Sequence, residues 1–157
     1  MIATFPLVLL LTATALDGLL AGASLDQSIK QLPARRRMGA IAFSAYSRAA
    51  DLGNGILWYS ILGIGAALVT IAAAVTIIVA GSPFMQALPV LIAALFSVLH
   101  SLVTTQAAPA NFSQRKVAND EAALAAIFDR FERWQTLRAI LQVLTLVAML
   151  WALFVLY

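Results

Sequence analysis

Four ionisable side chains lie within or beside long apolar runs of this 157-residue chain, and their types are those used in chemistry. They are Asp17, Asp51, Arg138 and His100, the one histidine of the chain. A charged group at the centre of a membrane-spanning helix costs about 2.5–3.5 kcal/mol on insertion scales, so such groups usually pair or mark a functional site. A histidine can exchange protons near neutral pH, and an arginine can hold an anionic oxygen. The question is whether these side chains meet around one site.

The simpler interpretation is that the charges pair locally. Three predicted ion pairs have helical spacing, namely Asp26 with Lys30, Arg48 with Asp51, and Asp129 with Arg133. A metal site on His100 with Asp17 or Asp51 stays open as an alternative, although no His-x-x-His, Glu-x-x-His or cysteine pattern supports it. The absence of cysteine excludes disulfides and thiolate ligands. Our prediction therefore contains no metal and no cofactor.

Composition indicates that nearly all of the chain lies in a membrane. The residues are 62% hydrophobic and 11% charged, whereas soluble domains have roughly 45–50% and about 25%. Four apolar runs approach or exceed the roughly 20 residues that cross a bilayer core, at 2–29, 52–80, 84–107 and 134–157. The first run has no preceding Lys or Arg, as a signal peptide would, so we interpret it as a retained span. We predict an all-α integral membrane protein, a four-helix bundle with antiparallel up-down spans in a single domain, 1–157.

Positive charge predicts how these spans are oriented. All ten Lys and Arg residues lie in or just beyond the stretches 30–51 and 108–133, and none lies in the turn at 81–83. Short loops rich in Lys and Arg stay cytoplasmic. We therefore expect cytoplasmic loops at 30–51 and 108–133, and both termini on the non-cytoplasmic side of the inner (plasma) membrane. The run Arg35-Arg36-Arg37 is typical of a topology and lipid-headgroup signal, so membrane lipids and not nucleic acid are the expected partners.

The turns contain residues suited to helix ends. Gly81 can close the second span, Ser82 can cap the third and Pro83 suits its first position, so these two spans are expected to be adjacent and antiparallel. Pro109 is expected to end the third span, and Asn119 to cap a last helix without internal Pro or Gly. That helix would be about 57 Å long at 1.5 Å per residue, so its first turns must leave the membrane.

The polar residues then concentrate in one half of the bilayer. At a helical rise of about 1.5 Å per residue, Asp17 lies about 22 Å along the first span and His100 about 26 Å along the third. At or just beyond the same level lie Asp26, Arg48, Asp51, Asn54, Thr104, Asn111, Arg138 and Gln142. We predict a polar site that opens to the cytoplasm. The scarcity of such residues in the outer half counts against ion or proton transport.

Two stretches carry a resemblance to a known family. TTQAAPANFSQRK, with the later FDRFERWQTLR, resembles the carboxy-terminal half of the small bacterial and fungal membrane proteins of the anthrone-oxygenase-like family, a domain of unknown function. Such proteins end the third span in a Pro-x-Asn turn and begin the fourth with a Trp and then an Arg. Here those positions are Pro109, Asn111, Trp134 and Arg138. DGLLAGASLDQSIKQLP is similar to the family's first span, except that Ser24-Leu25-Asp26 replaces aromatic residues often found there.

The resemblance implies a reaction, because some members are linked to oxidation of polycyclic phenolic anthrones to quinones. It implies His100 as the proton acceptor and Arg138 as the stabiliser of a developing phenolate or enolate. Asp17 or Asp51 would be the orienting carboxylate. A deprotonated anthrone can react with oxygen directly, so no cofactor is required. The residues predicted to contact the lipophilic small molecule are Arg48, Asn54, Asn111 and Trp134.

A rival interpretation has no catalysis. Small four-span proteins also serve as accessory subunits or lipid-binding modules of membrane complexes, and their polar clusters only join helices. The Gly- and Ala-rich faces of the first two spans would then dock a membrane protein partner or a second copy in a homo-oligomer. A cluster in which every charge is paired favours this non-catalytic alternative, whereas a cavity beside His100 favours a catalytic site.

Overall fold

The structure, a computed structural model, describes residues 4–117 and 119–157. Its α-helices are α1 (Thr4–Asp26), α2 (Leu32–Met38), α3 (Ala40–Ala49), α4 (Gly55–Val79), α5 (Phe84–Ser113) and α6 (Glu121–Leu156). Two short π-helical segments, Gln27–Gln31 and Ala50–Asn54, connect α1 to α2 and α3 to α4. A single 3-10 turn, Gln114–Lys116, follows α5.

Four helical stretches are long and apolar enough to cross a membrane. They are Phe5–Met38, Ala40–Val79, Phe84–Lys116 and Glu121–Leu156. α5 packs most extensively against α6, while α1 packs against α4 and α6, and α4 against α5. The predicted all-α bundle of antiparallel spans in a multi-pass membrane protein is therefore confirmed.

The bundle has two unlike ends. The hairpin end contains the α4–α5 turn at Gly81, and its core is built largely from small residues such as Ala13, Ala73, Ala93 and Ala152. Small side chains let helix backbones approach closely, which is how membrane helices gain van der Waals contact without a hydrophobic driving force. The opposite end, here called the basic end, carries α2, α3 and the first turns of α6 together with most of the Lys and Arg residues.

The α4–α5 turn matches the prediction in part. Gly81 has φ +70°, and its N–H donates to the Ile78 carbonyl at 2.9 Å, so a glycine closes α4 as expected. The predicted cap at Ser82 is wrong, because Pro83 occupies the N-cap position of α5. The Pro83 carbonyl accepts from the N–H groups of Gln86 and Ala87, at 2.9 and 3.0 Å.

The third span does not end at Pro109, so that prediction is wrong. α5 continues through this proline to Ser113. Ala107 and Ala110, on either side of the proline, are buried against Phe128 and Phe131. This packing offsets the backbone hydrogen bond that the missing proline N–H forfeits. The stretches 30–51 and 108–133, expected as loops, are consequently helical over most of their length.

The start of α6 differs from the prediction by one residue. Asp120, and not Asn119, is the N-cap, and its carboxylate accepts from the Ala123 N–H at 2.9 Å. Glu121 caps a second helix, since its carboxylate accepts from the N–H of Ala40 at 2.6 Å and of Ile41 at 3.2 Å. These contacts fix the first turn of α3 to the first turn of α6.

Arg35 is buried, so only Arg36 and Arg37 of the predicted headgroup signal are exposed. Its Nη2 lies 2.8 Å from Asp129 Oδ1 and 2.9 Å from Glu132 Oε2, and its guanidinium lies over the Phe128 ring. The predicted Asp26–Lys30 pair is confirmed. The other two predicted pairs are wrong. Asp129 pairs with Arg35 and not with Arg133. Arg48 and Asp51 do not pair with each other, because Arg48 bonds the Ser44 carbonyl and Asp51 bonds Ser47. A contact between helices thus replaces the local pair at Asp129, whereas Arg48 and Asp51 bond residues one helical turn before them.

Candidate functional site

A cavity of about 470 Å³ lies among α1, α4, α5 and α6 on the basic side of the bundle. Its polar lining includes Gln27, Asp51, Tyr59, His100, Asn111 and Arg138. Its apolar lining includes Ile56, Ile64, Ala67, Leu68, Phe112 and Phe131. The cavity therefore combines a polar region with apolar walls, which is the usual construction of a small-molecule site.

The two π-helical segments bring polar residues to this cavity. Gln27 begins the first segment, and Asp51 lies in the second. A π-helical turn inserts one residue into the helical register and is frequent at functional sites. The second segment needs small residues, because a Cβ on Gly55 would lie only 2.8 Å from the Ala50 carbonyl oxygen. Gly53 beside it departs from helical geometry, with φ −95° and ψ −114°, and marks a kink before α4.

His100 is buried and bonded to α6. The Nε2 atoms of Gln142 and His100 are 2.6 Å apart. An amide nitrogen can only donate, so the imidazole Nε2 accepts and the ring proton lies on Nδ1. Thr104 holds the same residue from its own helix, donating from Oγ1 to the His100 carbonyl at 2.9 Å. His100 is thus fixed in orientation at the cavity wall, with its Nε2 lone pair occupied by Gln142.

Arg138 brings a positive charge to the cavity without a counter-charge from any described residue. Its Nη1 donates to Gln135 Oε1 at 3.0 Å. Among the described residues, no carboxylate lies within ion-pair distance of its guanidinium. Its buried Nε has no hydrogen-bond partner there, and neither has Gln135 Nε2 or Gln142 Oε1. Each such buried polar atom costs about 1–3 kcal/mol when it stays unsatisfied.

Asp51 and Asn111 line the cavity as members of a closed hydrogen-bond network. Ser47 donates to Asp51 Oδ2 at 2.9 Å, and Gln114 Nε2 donates to Ser47 Oγ at 3.2 Å. Gln114 Nε2 also donates to Asn111 Oδ1 at 2.6 Å, while its Oε1 accepts from Ser44 at 3.0 Å. The network joins α3 to the end of α5 and holds both cavity residues in place.

Asp17 does not belong to the cavity lining. It is buried between helices, where Thr70 Oγ1 donates to its Oδ2 at 2.9 Å. Asp17 and His100 were expected at a similar depth, yet they face different parts of the bundle interior. The Asp17–Thr70 pair connects α1 to α4 and is itself shielded, since Thr70 is 0% exposed.

Half of the predicted site residues meet at the cavity. His100, Arg138, Asp51 and Asn111 line it, whereas Asp17, Arg48, Asn54 and Trp134 do not. Arg48 donates from Nε to the Ser44 carbonyl at 3.3 Å, and Asn54 is exposed. Trp134 packs against the core cluster around Phe128.

Sequence reasoning missed several members of the site. Tyr59 was not among the predicted site residues, yet it lines the cavity from α4. Gln27 and Gln135 were not singled out. Gln135 has a detectable signal, because Gln135, Arg138 and Gln142 follow the i, i+3, i+7 spacing of one helix face. Nothing in the sequence marks Gln27, since its orientation follows from the π-helical segment that it begins.

Within residues 4–117 and 119–157, no cluster of three or more His, Asp or Glu side chains is arranged to hold a metal ion. Comparison with models of known protein families, with curated proteins and with solved structures yields no match. The chemistry of the site must therefore be judged from its own residues, of which Arg138 and His100 are the most distinctive.

Proposed function

We propose that this membrane protein binds a lipophilic small molecule that carries one acidic or anionic oxygen. The oxygen lies beside Arg138 and His100, and the apolar part of the molecule fills the remaining cavity. One observation carries the proposal, namely that Arg138 faces a largely apolar cavity and no carboxylate of the described chain pairs with it. An anionic oxygen would supply the missing counter-charge through charge-assisted hydrogen bonds.

An unsatisfied atom of α6 supports the same proposal. Arg138 Nε is a buried donor without a partner among the described residues, and Arg138 lines the cavity. A phenolate, enolate or carboxylate oxygen accepts from several donors at once. Its binding would therefore supply both an acceptor and a counter-charge, whereas the oxygen of a neutral ether accepts only weakly and supplies no charge.

Oxidation of a phenolic anthrone, the activity implied by the family resemblance, is the candidate reaction for this site. The methylene carbon of the substrate loses two hydrogens and gains one oxygen atom from O₂, and the second oxygen atom leaves as water. Proton removal comes first, and the resulting oxyanion would be stabilised by Arg138. His100 can accept the proton at Nε2 only after Gln142, 2.6 Å away, releases that atom. Substrate binding must therefore displace the Gln142 amide.

The proposal includes an orientation. The basic end, with Arg36 and Arg37 exposed, lies on the cytoplasmic side of the inner (plasma) membrane, in keeping with the preference of Lys and Arg for cytoplasmic segments. Both termini then lie on the opposite side. Cysteine substitution at Arg37 gives a cysteine-free chain its one thiol. Labelling of that thiol in right-side-out vesicles by a membrane-impermeant maleimide would contradict this orientation.

A non-catalytic accessory subunit or lipid-binding module is the second candidate. The buried Asp17–Thr70 pair and the cluster around Arg35 favour it, because their charges find partners within the chain and join helices. The two candidate functions give Arg138 different roles. A purely structural protein gains nothing from an uncompensated guanidinium at a cavity wall.

Binding of an alkylated naphthol tests the proposal. The probe is 4-dodecyl-1-naphthol, and its O-methyl ether is the matched probe without an acidic oxygen. Protein in lipid nanodiscs is titrated with each probe, and naphthol fluorescence reports binding. We expect the naphthol to bind at least tenfold more tightly than its ether, and Arg138→Gln to remove that preference. Arg37→Gln, a change at an exposed arginine of the basic end, is the control and should leave binding unchanged.

Equal affinity for both probes, or an undiminished preference in Arg138→Gln, would refute the proposed function. Oxygen uptake with anthrone then separates catalysis from binding. Loss of uptake in His100→Gln, with retained naphthol binding, supports the oxidase. Binding without uptake in the unmodified protein supports the lipid-binding module.

A further inference from the structure

We infer that the cavity opens sideways into the bilayer through a cleft between α4 and α5, and that its ligand enters and leaves by this route. The inference rests on the proposed function and extends it. It restricts the ligand to acidic amphiphiles dissolved in the membrane, and it places their apolar body between these two helices. Entry from the water at the basic end is the alternative that the experiment below must exclude.

Residues of α4 that line the cavity are also exposed on the outside of the bundle. Ser60, Ile64 and Leu68 all line the cavity, and their i, i+4, i+8 spacing places them on one helix face. Yet Ile64 and Leu68 are each 62% exposed, and Ser60 is exposed as well. Because α4 is a membrane-spanning helix, the surroundings of this exposed apolar face are lipid chains.

Residues of α5 that line the cavity are likewise exposed on the outside of the bundle. Ser101, Thr104, Ala108 and Phe112 line the cavity from one face of this helix. Ser101 is exposed, and Phe112 is 39% exposed. At the level of Ser60 and Ser101, each helix therefore borders the cavity on one side and lipid on the other, and the space between the helices at this level is the cleft. From there the α4 row continues toward the hairpin end and the α5 row toward the basic end.

Small residues leave the space between the helices unfilled here. Gly63 and Ala67 on α4 leave space that larger side chains would fill. A Cβ added to Gly63 would meet no atom within 4 Å. At the hairpin end, by contrast, Ile77 of α4 and Val90 of α5 are buried in the shared core. The same helix pair is therefore closed at the hairpin end and open beside the polar residues.

The cleft lies at the depth of the charged groups. At about 1.5 Å per residue, Gly63 and His100 each lie about 24 Å from the hairpin end of their helix, and Arg138 lies about 27 Å from the end of α6. The α4 lining continues five residues deeper, to Leu68, which is about 8 Å at the same rise. An acidic oxygen beside Arg138 can therefore carry an apolar body that extends through the cleft into the hydrocarbon.

A removable tether across the cleft tests this route. The chain has no cysteine, so the double variant Ser60→Cys/Ser101→Cys introduces two thiols, which a bifunctional methanethiosulfonate joins and a reductant releases. The control Val79→Cys/Met85→Cys tethers the same two helices beside their turn, where both residues are exposed. The probe is 4-dodecyl-1-naphthol in lipid nanodiscs, and stopped-flow fluorescence gives its association and dissociation rates.

We expect the cleft tether to slow both rates at least tenfold, because it closes the route by which the ligand enters and leaves. Reductant should restore both rates, and the control tether should alter neither. Unchanged rates in the tethered cleft variant, with the naphthol still bound, would overturn the lateral route and leave the proposed function standing. Failure of the naphthol to bind the untethered, unmodified protein would instead overturn the proposed function, and the route with it.

A pair of glycine variants tests the cleft without cross-linking. Gly63 and Gly65 both have open space where a Cβ would lie, but only Gly63 lines the cavity. Gly63→Phe should fill the cleft and reduce both the association rate and the affinity at least tenfold. Gly65→Phe should change neither. Equal behaviour of the two variants would refute the placement of the ligand between α4 and α5.

Discussion

Replacing Arg138 by methionine is expected to make the protein more stable and unable to bind an acidic ligand. The two outcomes have one cause, since the guanidinium that would hold the ligand lacks a counter-charge in the described chain. Methionine has similar length and flexibility and no charge, so it can fill the same volume. A residue kept for binding at the expense of stability is a common property of functional sites.

The size of the effect follows from three contributions. Removing a charge from a spanning helix gains up to about 2.5–3.5 kcal/mol on insertion scales, less for a residue away from the bilayer centre. Removing the unpartnered Nε gains about 1–3 kcal/mol, which overlaps with the first contribution. The lost hydrogen bond, 3.0 Å long, leaves the buried Gln135 Oε1 without its donor, which costs about 1–3 kcal/mol. We expect a net stabilisation of about 1 kcal/mol.

Arg35→Met is the matched comparison, and it should destabilise the protein. Arg35 is buried and lies within 2.9 Å of carboxylates on both Asp129 and Glu132. Removing one partner of a buried ion pair costs about 3–5 kcal/mol, and the exposure of Asp129 reduces this to about 2–4 kcal/mol.

Unfolding by dodecyl sulfate in mixed micelles, followed by circular dichroism, measures both changes. If Arg138→Met destabilises the protein as Arg35→Met does, then Arg138 is compensated within the fold. An acidic ligand would then not be needed to balance its charge.

Three smaller changes test other parts of the structure. Thr70→Val should destabilise the protein by about 1–3 kcal/mol in the same unfolding assay, because it leaves the buried Asp17 carboxylate without its donor, and Thr70→Ser should restore most of the loss. An equal loss in both variants would point to packing instead. Glu121→Ala should cost about 0.5–2 kcal/mol by uncapping α3, and equal stability would contradict the cap. Gln142→Leu should convert the single Nδ1–H tautomer of His100 to a mixture in nitrogen-15 NMR of histidine-labelled protein. An Nε2–H tautomer in the unmodified protein would contradict donation from the Gln142 amide to His100 Nε2.

Much of the architecture could be predicted from local properties of the chain. Apolar runs of about 20 residues identify spans because every backbone polar group in lipid must be satisfied within the helix. Gly81 marks the tight turn because its φ of +70° is readily adopted by glycine. These features depend on neighbouring residues alone, so hydropathy and turn chemistry were sufficient for them.

At Pro109 these local rules give the wrong prediction. Its ring should stop a helix, but burial of Ala107 and Ala110 against α6 keeps α5 helical through it. Arg35 and Arg37 are a second illustration, since they stand two residues apart in one basic run. One is buried between two carboxylates and the other is exposed, and only the packing of α2 on α6 distinguishes them.

The membership of the site was the least predictable feature. Depth along a helix follows from counting residues, and His100 and Arg138, which were expected at a similar depth, both line the cavity. The face on which a side chain lies depends on helix rotation, and each π-helical segment shifts that rotation by one inserted residue. Hydropathy contains no signal for such a shift. Asp17 consequently bonds Thr70 away from the cavity, while Gln27 lines it, and only the packed bundle determines which polar groups meet.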